Sequence, residues 1–553
     1  MEQQTRQATP IDAIAEAWTD ETVRLRPEIG TYIGRNEGDG GFGDHSPDGH
    51  DAMATAASEV LARLERAEPQ DDVDRVTKRD LARELALVQE LHAARWHLRD
   101  LNVLDSPSQE IRQVFDLMPT DSADDWGTIA ARLGAVPDAV DGYVQTLQSG
   151  IAEGVVPAVR QVREVIGQVR DCARSDGFFD QLIAGGDSLP NGLRRDLERG
   201  ATIAREAYGR LGEFLADTLA PAAGTEDAVG RDLYALHSRA FLGATVDLDE
   251  TYEWGLEELA RIREEQERTA REILPGATVE EAVAALENDP AHRLDGAESL
   301  RAWMQETADA AIADLGATHF DIPDPVRRIE CMIAPTTSGE IYYTAPSDDF
   351  SRPGRMWWSI PEGVATFDTW RELTTVYHEG VPGHHLQIGQ AVYNRDQLNS
   401  WRRLLAGTSG HAEGWALYAE RLMAELGYLD DPAPRLGMLD GQRMRAARVV
   451  VDIGVHLGKR RPDGDGVWDA ASALDTMRRN VNMADEFIVF EVNRYLGWPG
   501  QAPAYKVGQR IWEDLRAAVA EREGDAFSMR AFHRRALDLG GVGLDTLRQA
   551  LLG

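Results

Sequence analysis

The sequence contains little cysteine and no long hydrophobic run. Its two cysteines, Cys172 and Cys331, lie far apart among 553 residues, which excludes a disulfide framework and favours a reducing compartment. No stretch approaches the roughly 20 consecutive apolar residues of a membrane-spanning helix. The N-terminal MEQQTRQATPIDAIAEAW lacks a basic start followed by an apolar run, so it is unlike a secretory signal. These absences predict a soluble, cytoplasmic protein.

Positive charge is also scarce. Lysine occurs only at Lys78, Lys459 and Lys506, and the formal net charge is -36. An acidic excess of this size argues against nucleic acid and against an anionic membrane as partners. Hydrophobic residues make up 43% of the chain and charged residues 27%, which is typical of globular proteins with a sizeable core.

Apolar residues recur mainly at the three- and four-residue spacing of amphipathic helices. In the first part of the chain this spacing predicts helices over 10–26, 51–66, 74–104, 126–150, 155–174, 190–220, 249–273 and 297–315. Later it predicts helices over 367–381, 384–393, 411–426, 438–459, 466–479, 482–496 and 503–522. Between the two groups, residues 318–346 and 355–360 are rich in proline, β-branched and aromatic residues, which predicts a small antiparallel sheet.

The run HEGVPGHH, His378 to His385, carries the strongest chemical signal. A peptidase zinc site needs three protein ligands, an open position for water and a nearby carboxylate that accepts the proton of that water. The usual sequence form places two histidines one helical turn apart, with glutamate directly after the first. His378 and Glu379 fit the first half of that form.

The second half departs from it, because the next histidines come six and seven residues after His378. Pro382 cannot donate a hydrogen bond within a helix and Gly383 loosens the backbone, so we expect the helix to bulge or break here. A two-residue bulge would place His384 where the second ligand normally lies. On a straight helix His385 would share the direction of His378 better, and it remains the alternative.

A following helix supplies the third predicted ligand. Residues 408–426 begin with an N-cap at Thr408 or Ser409, and Glu413 lies on a partly apolar stripe of this helix. A carboxylate on such a stripe must be paired or metal-bound if it is buried. Glu420 on the same stripe is either a partner that holds a ligand histidine or a solvated charge.

These motifs resemble those of the bacterial family known as domain of unknown function 885. The resemblance rests on HEGVPGHHLQ, AEGWALYAE, PEIGTYIG, YYTAPSDDFSRPG and RYLGWPGQAPAYKVG, and so spans almost the whole chain. That family is similar to helical zinc peptidases of the gluzincin type, such as angiotensin-converting enzyme and carboxypeptidase Taq, in which HExxGH and a downstream glutamate hold the zinc. The resemblance implies a zinc peptidase and favours His384, while the two-residue insertion is a departure.

Further candidates lie outside the metal motif. Arg448, Asp452 and His456 form a polar stripe on an apolar helix, which predicts either a cleft wall that contacts substrate through Arg448 or His456, or a buried ion-pair network. In gluzincins a late tyrosine or histidine stabilises the oxyanion, and Tyr505 is the predicted equivalent, with His456 as a second candidate.

Two more tyrosines are predicted to bind substrate. Tyr495 begins the turn that leads to Tyr505, and Tyr343 lies in the predicted sheet, where an edge strand could pair with an extended peptide. For each of these tyrosines the alternative is a packed core residue with a satisfied hydroxyl.

The sequence as a whole predicts a mostly α, two-lobed protein with the architecture of a helical metallopeptidase and the small sheet beside the active-site helix. Residues 1–315 would form an N-terminal helical lobe covering the cleft, and residues 316–553 a catalytic lobe. The predicted function is zinc-dependent hydrolysis of short peptides. One zinc ion would be held by His378, His384 and Glu413, and Glu379 would be the general base. Alternatives are a hydrolase of another amide or ester, and a non-catalytic binding or scaffold protein. The sequence leaves the oligomeric state open, a homodimer included.

Overall fold

Helices carry most of the chain, as the spacing of apolar residues predicts. The computed structural model describes residues 6–35, 40–186, 189–334, 341–464 and 466–553. The helices before the sheet are α1 (Pro10–Leu25), α2 (Pro27–Tyr32), α3 (Pro47–Arg66), α4 (Asp72–Ala93), α5 (Pro107–Gln113), α6 (Ala123–Glu153), α7 (Val159–Cys172), α8 (Phe178–Ala184), α9 (Asn191–Phe214), α10 (Ala220–Ala222), α11 (Arg231–Leu242), α12 (Leu248–Ile273), α13 (Val279–Glu287) and α14 (Ala297–Thr318). Those after it are α15 (Thr369–Glu379), α16 (His384–Tyr393), α17 (Ser400–Leu404), α18 (Ser409–Glu425), α19 (Pro432–His456), α20 (Ala470–Asn480), α21 (Asp485–Gly497), α22 (Gln501–Glu523), α23 (Met529–Leu537) and α24 (Leu544–Leu552).

Three short strands occupy the segments that were predicted to hold them, and two more, the first and the last along the chain, lie outside those segments. They are β1 (Arg293–Asp295), β2 (Ile329–Ile333), β3 (Ile341–Thr344), β4 (Gly354–Trp358) and β5 (Thr366–Asp368). Strands β1 and β5 pair antiparallel, and the other three form a sheet in the order β2-β4-β3. The predicted segment 335–340 lies outside the described residues.

The three-stranded sheet is mixed rather than purely antiparallel. Strand β3 pairs antiparallel with β4, but β2 runs parallel to β4, with Ile329 opposite Gly354. Strands β2 and β3 run in opposite directions, so β4, which lies between them, is parallel to one and antiparallel to the other. Since β5 leads directly into α15, the strand segment lies immediately before the candidate metal helix. The fold is therefore mostly α with a small sheet.

Two large clusters of buried apolar side chains hold the helices together. One draws almost entirely on residues after Tyr234, up to Leu551, and includes side chains of α12, α14, α18, α19 and α22. The other lies between Leu101 and Leu219 and joins α6, α7 and α9. The metal motif belongs to the first cluster, in which Tyr377, Val381 and Trp415 are buried. The division of the chain at residue 315 stays a prediction.

Candidate metal centre

The helix that carries His378 breaks where the sequence predicts. Helix α15 ends at Glu379, and α16 begins at His384. The four intervening residues turn the chain, and the backbone N–H of Gly383 donates to the carbonyl of Tyr377 at 3.0 Å. A Cβ at position 383 would lie 1.8 Å from the His378 carbonyl oxygen, so this close approach requires glycine. The break makes His384 the first residue of a new helix.

A buried tryptophan from α18 supports the break. The indole N–H of Trp415 donates to the carbonyl of Pro382 at 2.9 Å, and Trp415 is fully buried. A backbone carbonyl in a buried turn needs such a partner when it is away from water. Trp415 thereby ties α18, the helix of the third predicted ligand, to the turn between the two histidines.

Helix α18 is itself held close to α22. Its N-cap is Thr408, whose hydroxyl accepts from the N–H of His411 at 3.2 Å. Gly414 meets Gly508 of α22 so closely that a Cβ on Gly414 would lie 2.5 Å from the Gly508 carbonyl carbon. Glu413 precedes this crossing, so its backbone lies where two helices are packed without intervening side chains.

The three predicted metal ligands converge. Oε2 of Glu413 lies 3.3 Å from Nε2 of His378 and 3.6 Å from Nε2 of His384. The ligand atoms of the three residues all lie within 4.8 Å of one another. Both histidines are buried and Glu413 is partly buried, and the two imidazole rings stand edge to face at 90°. Among the described residues, this is the group of three histidine, cysteine or acidic side chains whose ligand atoms come that close together.

These distances fit zinc. Two ligands at the usual zinc distances of about 2.0–2.1 Å and a tetrahedral angle lie roughly 3.4 Å apart. The spacings of 3.3 and 3.6 Å between the Glu413 oxygen and the two imidazole nitrogens bracket that value. Two histidines and one carboxylate also match the donor set of catalytic zinc sites, which keep a fourth position for water.

Glu420 orients His378. It lies two helical turns after Glu413 on α18, and its carboxylate accepts from Nδ1 of His378 at 2.8 Å and from the hydroxyl of Thr374 at 2.8 Å. With Nδ1 held by Glu420, Nε2 is the nitrogen directed at Glu413, and it is the nitrogen that would bind a metal in place of its proton. Of the two sequence alternatives for Glu420, the contact with His378 fits the partner that holds a histidine tautomer, and burial excludes the solvated charge.

Replacing Glu420 with alanine is expected to weaken zinc binding by roughly 10–100-fold, the range for partners that fix a ligand imidazole. The physical reason is the loss of the acceptor that holds the His378 tautomer. Competition with a fluorescent chelator measures the affinity. Glu425→Ala is the matched control, because Glu425 lies on the same helix but is exposed and pairs with Arg516. Equal affinities for the two variants would contradict the role of Glu420.

Negative charge surrounds the His378 ring. Burial lowers the pKa of His378, but hydrogen bonds to Glu413 and Glu420 outweigh burial and raise the pKa to about 10. Burial alone would raise the pKa of Glu413, but the charge of His384 and the hydrogen bond from His378 hold it well below its usual value. The space between the two imidazoles and the Glu413 carboxylate therefore favours a cation.

Glu379 lies beside the converging ligands. It is buried, and burial raises its pKa against the opposing charges of His384 and His378. A cleft of about 480 Å³ reaches both Glu379 and His378. The volume is in the range of small-ligand sites. The walls of this cleft come from β4, α15 and α19, with Trp358, Thr375 and Met444 among the lining residues.

His385 faces the sheet. Its Nε2 donates to the carbonyl of Val326 at 2.7 Å, and its Nδ1 accepts from the hydroxyl of Tyr343 at 2.9 Å. Both ring nitrogens are thus engaged, and burial lowers the pKa of His385 to about 4. Tyr343, predicted to bind substrate, instead donates its hydroxyl to a buried ring. The geometry leaves His384 as the second candidate ligand.

Arg448 and Tyr495 form a buried network. The guanidinium of Arg448 donates to Glu491 at 2.6 Å and to the hydroxyl of Tyr495 at 2.9 Å, and Tyr495 also donates to Glu491. All three side chains are buried. Their polar groups are directed at one another, so the network alternative describes them and the predicted contact with substrate has no support from their placement.

His456 does not reach the ligand group. It ends α19, roughly 16 Å along the helix from Arg445, which lines the cleft beside Glu379. Its Nε2 donates to the carbonyl of Tyr495 at 3.0 Å, and its Nδ1 accepts from the N–H of Val229. The sequence prediction of an oxyanion role for His456 is therefore corrected. Helical periodicity placed His456 on the side of α19 that faces the cleft, but His456 lies too far along the helix to reach the ligand group.

Tyr505 borders the site. It lies on α22, and burial raises the pKa of its hydroxyl, with a further contribution from the negative charge of Glu413. The Arg448 guanidinium lies 5.2 Å from its ring centre. Of the two predicted oxyanion partners, Tyr505 is the one that is near a metal-ligand candidate.

Arg445 is a cleft residue that the sequence did not single out. It lines the same cleft as His378 and Glu379. It lies in a helix segment with several arginines, GQRMRAARVV, so neither its residue type nor its spacing distinguishes it. Thr374, which supports Glu420, was also missed, although its position one turn before His378 was a usable signal.

Solved structures share this fold. One is a candidate lipoprotein from Colwellia psychrerythraea, with 22% identity, a TM-score of 0.83 and 98% of each chain covered. Another, from Shewanella oneidensis, is a candidate lipoprotein of unknown function with 16% identity and a TM-score of 0.75, covering 99% of this chain and 100% of that one. A carboxypeptidase from Pyrococcus furiosus has 14% identity and a TM-score of 0.36 with 100% and 97% covered, which is too low to support an inference.

The two relatives with the same fold contradict the prediction of a cytoplasmic protein, because both are candidate lipoproteins. That prediction was wrong because it rested on few cysteines and a polar N-terminal segment, and neither feature is specific to the cytoplasm. In the part of the chain that the structure describes, no helix combines the length and the apolar character needed to cross a bilayer.

The sequence comparison agrees with the motifs. No curated protein matches the chain. Residues 27–551 match the family described as "Bacterial protein of unknown function (DUF885)". The match covers nearly the full length, as the resemblance predicts. The chain belongs to this family of bacterial proteins of unknown function.

Proposed function

We propose that this protein is a zinc-dependent hydrolase of peptide bonds. The observation that carries the proposal is the convergence of His378, His384 and Glu413, with Glu379 beside them in a cleft. Those three side chains would hold a zinc ion, which would supply a Lewis acid for the scissile carbonyl and for the attacking water. The two histidines and one glutamate favour zinc over harder cations, which prefer oxygen-only sites.

Glu379 is the proposed general base. Its carboxylate accepts one proton from the attacking water, and the water oxygen forms a bond to the scissile carbonyl carbon. The same carboxyl group then gives that proton to the amine as the carbon–nitrogen bond breaks. Water is consumed, and the products are a carboxylic acid and an amine. Burial of Glu379 supports this assignment, because a carboxylate removed from water is a stronger base.

Tyr505 is the proposed partner of the developing oxyanion. Its hydroxyl stays protonated near neutral pH, since burial and the charge of Glu413 both raise its pKa. A protonated hydroxyl can donate a hydrogen bond to the oxygen on which negative charge develops. Glu420 acts through His378 and is a positioning residue.

The cleft supports a peptide substrate. Strand β3 lies at the edge of the three-stranded sheet, and Ile341 of that strand lines the cleft. An edge strand offers backbone groups that an extended peptide can pair with. Apolar side chains at the cleft, Val364, Met444 and Met483, add surface for a substrate side chain.

The test combines metal analysis with a substrate mixture. The protein is stripped with a chelator, reloaded with zinc and analysed by elemental mass spectrometry, which is expected to find about one zinc per chain. Short peptides of mixed sequence are then incubated with the stripped and the reloaded protein, and products are identified by mass spectrometry. Hydrolysis is expected only after reloading.

Two outcomes would contradict the proposal. Stoichiometric zinc without cleavage of any peptide would favour a hydrolase of another amide or ester. Substoichiometric metal after zinc supplementation, with no hydrolysis, would favour a binding or scaffold protein. A His378→Ala variant is the matched control for contaminating peptidase, because it removes a ligand at the buried centre of the site.

A further inference from the structure

Arg445 is a cleft cation without a close ion-pair partner among the described residues. Its Nε is buried and has no hydrogen-bond partner, and among the described residues its guanidinium forms no ion pair. It nevertheless lines the cleft that reaches Glu379 and His378. A partly buried guanidinium without a hydrogen-bonded anion is costly, so Arg445 would favour an anion bound in the cleft.

The other arginine of this cleft is matched. Arg371 donates to Glu287 at 3.1 Å and to the carbonyl of Asn482 at 3.1 Å, and Asp440 lies 3.8 Å away. Its charge is therefore balanced within the protein. Arg371 and Arg445 share the cleft, but of the two only Arg445 has a guanidinium with no hydrogen bond and no ion pair among the described residues.

Helix packing places Arg445 level with the catalytic residues. Gly437 of α19 touches the start of α15, where a Cβ would lie 2.3 Å from the carbonyl oxygen of Trp370. Eight residues after that contact, α19 reaches Arg445 and α15 reaches His378, and both helices rise about 1.5 Å per residue. The positive charge of Arg445 acts on the carboxyls of Glu379 and Glu420, as expected for neighbours in the cleft, although neither forms an ion pair with it.

We propose that Arg445 binds the terminal carboxylate of a peptide substrate, so that the enzyme removes residues from the C-terminus. This inference rests on the proposed function of the same site. A guanidinium pairs with a carboxylate through two parallel hydrogen bonds, which fixes the substrate in direction as well as in charge. Since one extended residue spans only about 3.3–3.6 Å, an anchor level with His378 puts the last peptide bonds of the chain at the metal ligands.

The cleft also indicates the side chain next to that carboxylate. Met444 precedes Arg445, and Val481 and Met483 line the same cleft together with Phe367. Met483 is 45% exposed, so its surface is available for contact. An apolar C-terminal residue would bury this surface and gain the corresponding hydrophobic free energy. The substrate class is therefore a short peptide with a free carboxylate and an apolar last residue.

The test uses a pair of N-acylated dipeptides that end in phenylalanine, one as the free acid and one as the amide. The zinc-loaded protein is expected to prefer the acid in kcat/KM by roughly 10- to 100-fold, the contribution of a charge-assisted hydrogen-bonded pair. Arg445→Met is expected to reduce that ratio to near one, mainly by raising KM for the acid. Arg445→Lys retains part of the preference, because it keeps the charge but not the two parallel bonds.

Arg371→Met is the matched control and keeps the acid-to-amide ratio of the wild type. The ratio separates binding from structure, because damage to the fold or to Glu379 would slow both substrates equally. Equal hydrolysis of acid and amide by the wild type, internal cleavage, or release of N-terminal residues from longer peptides would overturn the inference and leave the proposed function standing. Absence of any peptide cleavage would instead remove the proposed function, and the inference with it.

Discussion

Glu379→Gln is expected to abolish peptide hydrolysis while zinc stays bound. Glutamine keeps the size and one hydrogen-bonding oxygen of Glu379 but cannot accept and return the proton of water at neutral pH. General acid–base catalysis is worth about 10²–10⁴-fold, so kcat should fall by at least two orders of magnitude. Elemental analysis should still find zinc at wild-type stoichiometry, because Glu379 is not one of the converging ligand atoms.

Glu372→Gln is the matched control for this result. Glu372 lies on the same helix and lines the same cleft, and burial raises its pKa to about 7. It precedes Glu379 by seven residues, about 10 Å along the helix, so it is too far to serve the same water. Most activity should remain in this variant. Full activity of Glu379→Gln, or loss of zinc in it, would refute the assigned role.

His384→Ala and His385→Ala are expected to separate metal binding from stability. Removing His384 deletes one of three ligand candidates, so zinc affinity should fall by more than the roughly 10–100-fold expected for a residue that only orients a ligand. His385 contacts Val326 and Tyr343 instead, so its removal should leave zinc bound. The affinities are measured by competition with a chelator.

The His385 variant has an effect of its own. It leaves the Val326 carbonyl and the Tyr343 hydroxyl without their partner, which costs about 1–3 kcal/mol for each buried polar group left unpaired. Denaturant unfolding should therefore register a lower free energy of unfolding for His385→Ala. The reverse pattern, with zinc lost in His385→Ala and kept in His384→Ala, would exchange the two assignments.

The local sequence was sufficient to predict the helices around the site and the break between α15 and α16. Apolar spacing predicted α15, α16, α18 and α19 to within a few residues, apart from the start of α19 at Pro432. Pro382 and Gly383 predicted the interruption because proline cannot donate and glycine lacks a Cβ. These are properties of neighbouring residues, so no knowledge of the tertiary fold was needed. Glu413 also followed from local reasoning, as a carboxylate on a partly apolar stripe.

Tertiary contacts decided what the sequence left open. The choice between His384 and His385 depends on the Val326 carbonyl, which comes from a turn 59 residues away. The status of Arg448 depends on Glu491, 43 residues later. Arg445 differs from nearby arginines only in what it does not contact. These contacts join residues that have no regular spacing in the sequence, so periodicity could not predict them.

The interrupted helix has a consequence for how the site can change. In a continuous helix, one inserted residue rotates every later side chain by about 100°, so the spacing of two ligands is locked to the helical repeat. Here the second histidine starts its own helix, and its direction is set by the Trp415 hydrogen bond and by the contact of Gly389 with Val326. The relative orientation of the two histidines therefore does not depend on the number of residues between them. Substitutions in the scaffold, far from any metal, become able to tune the angle between them.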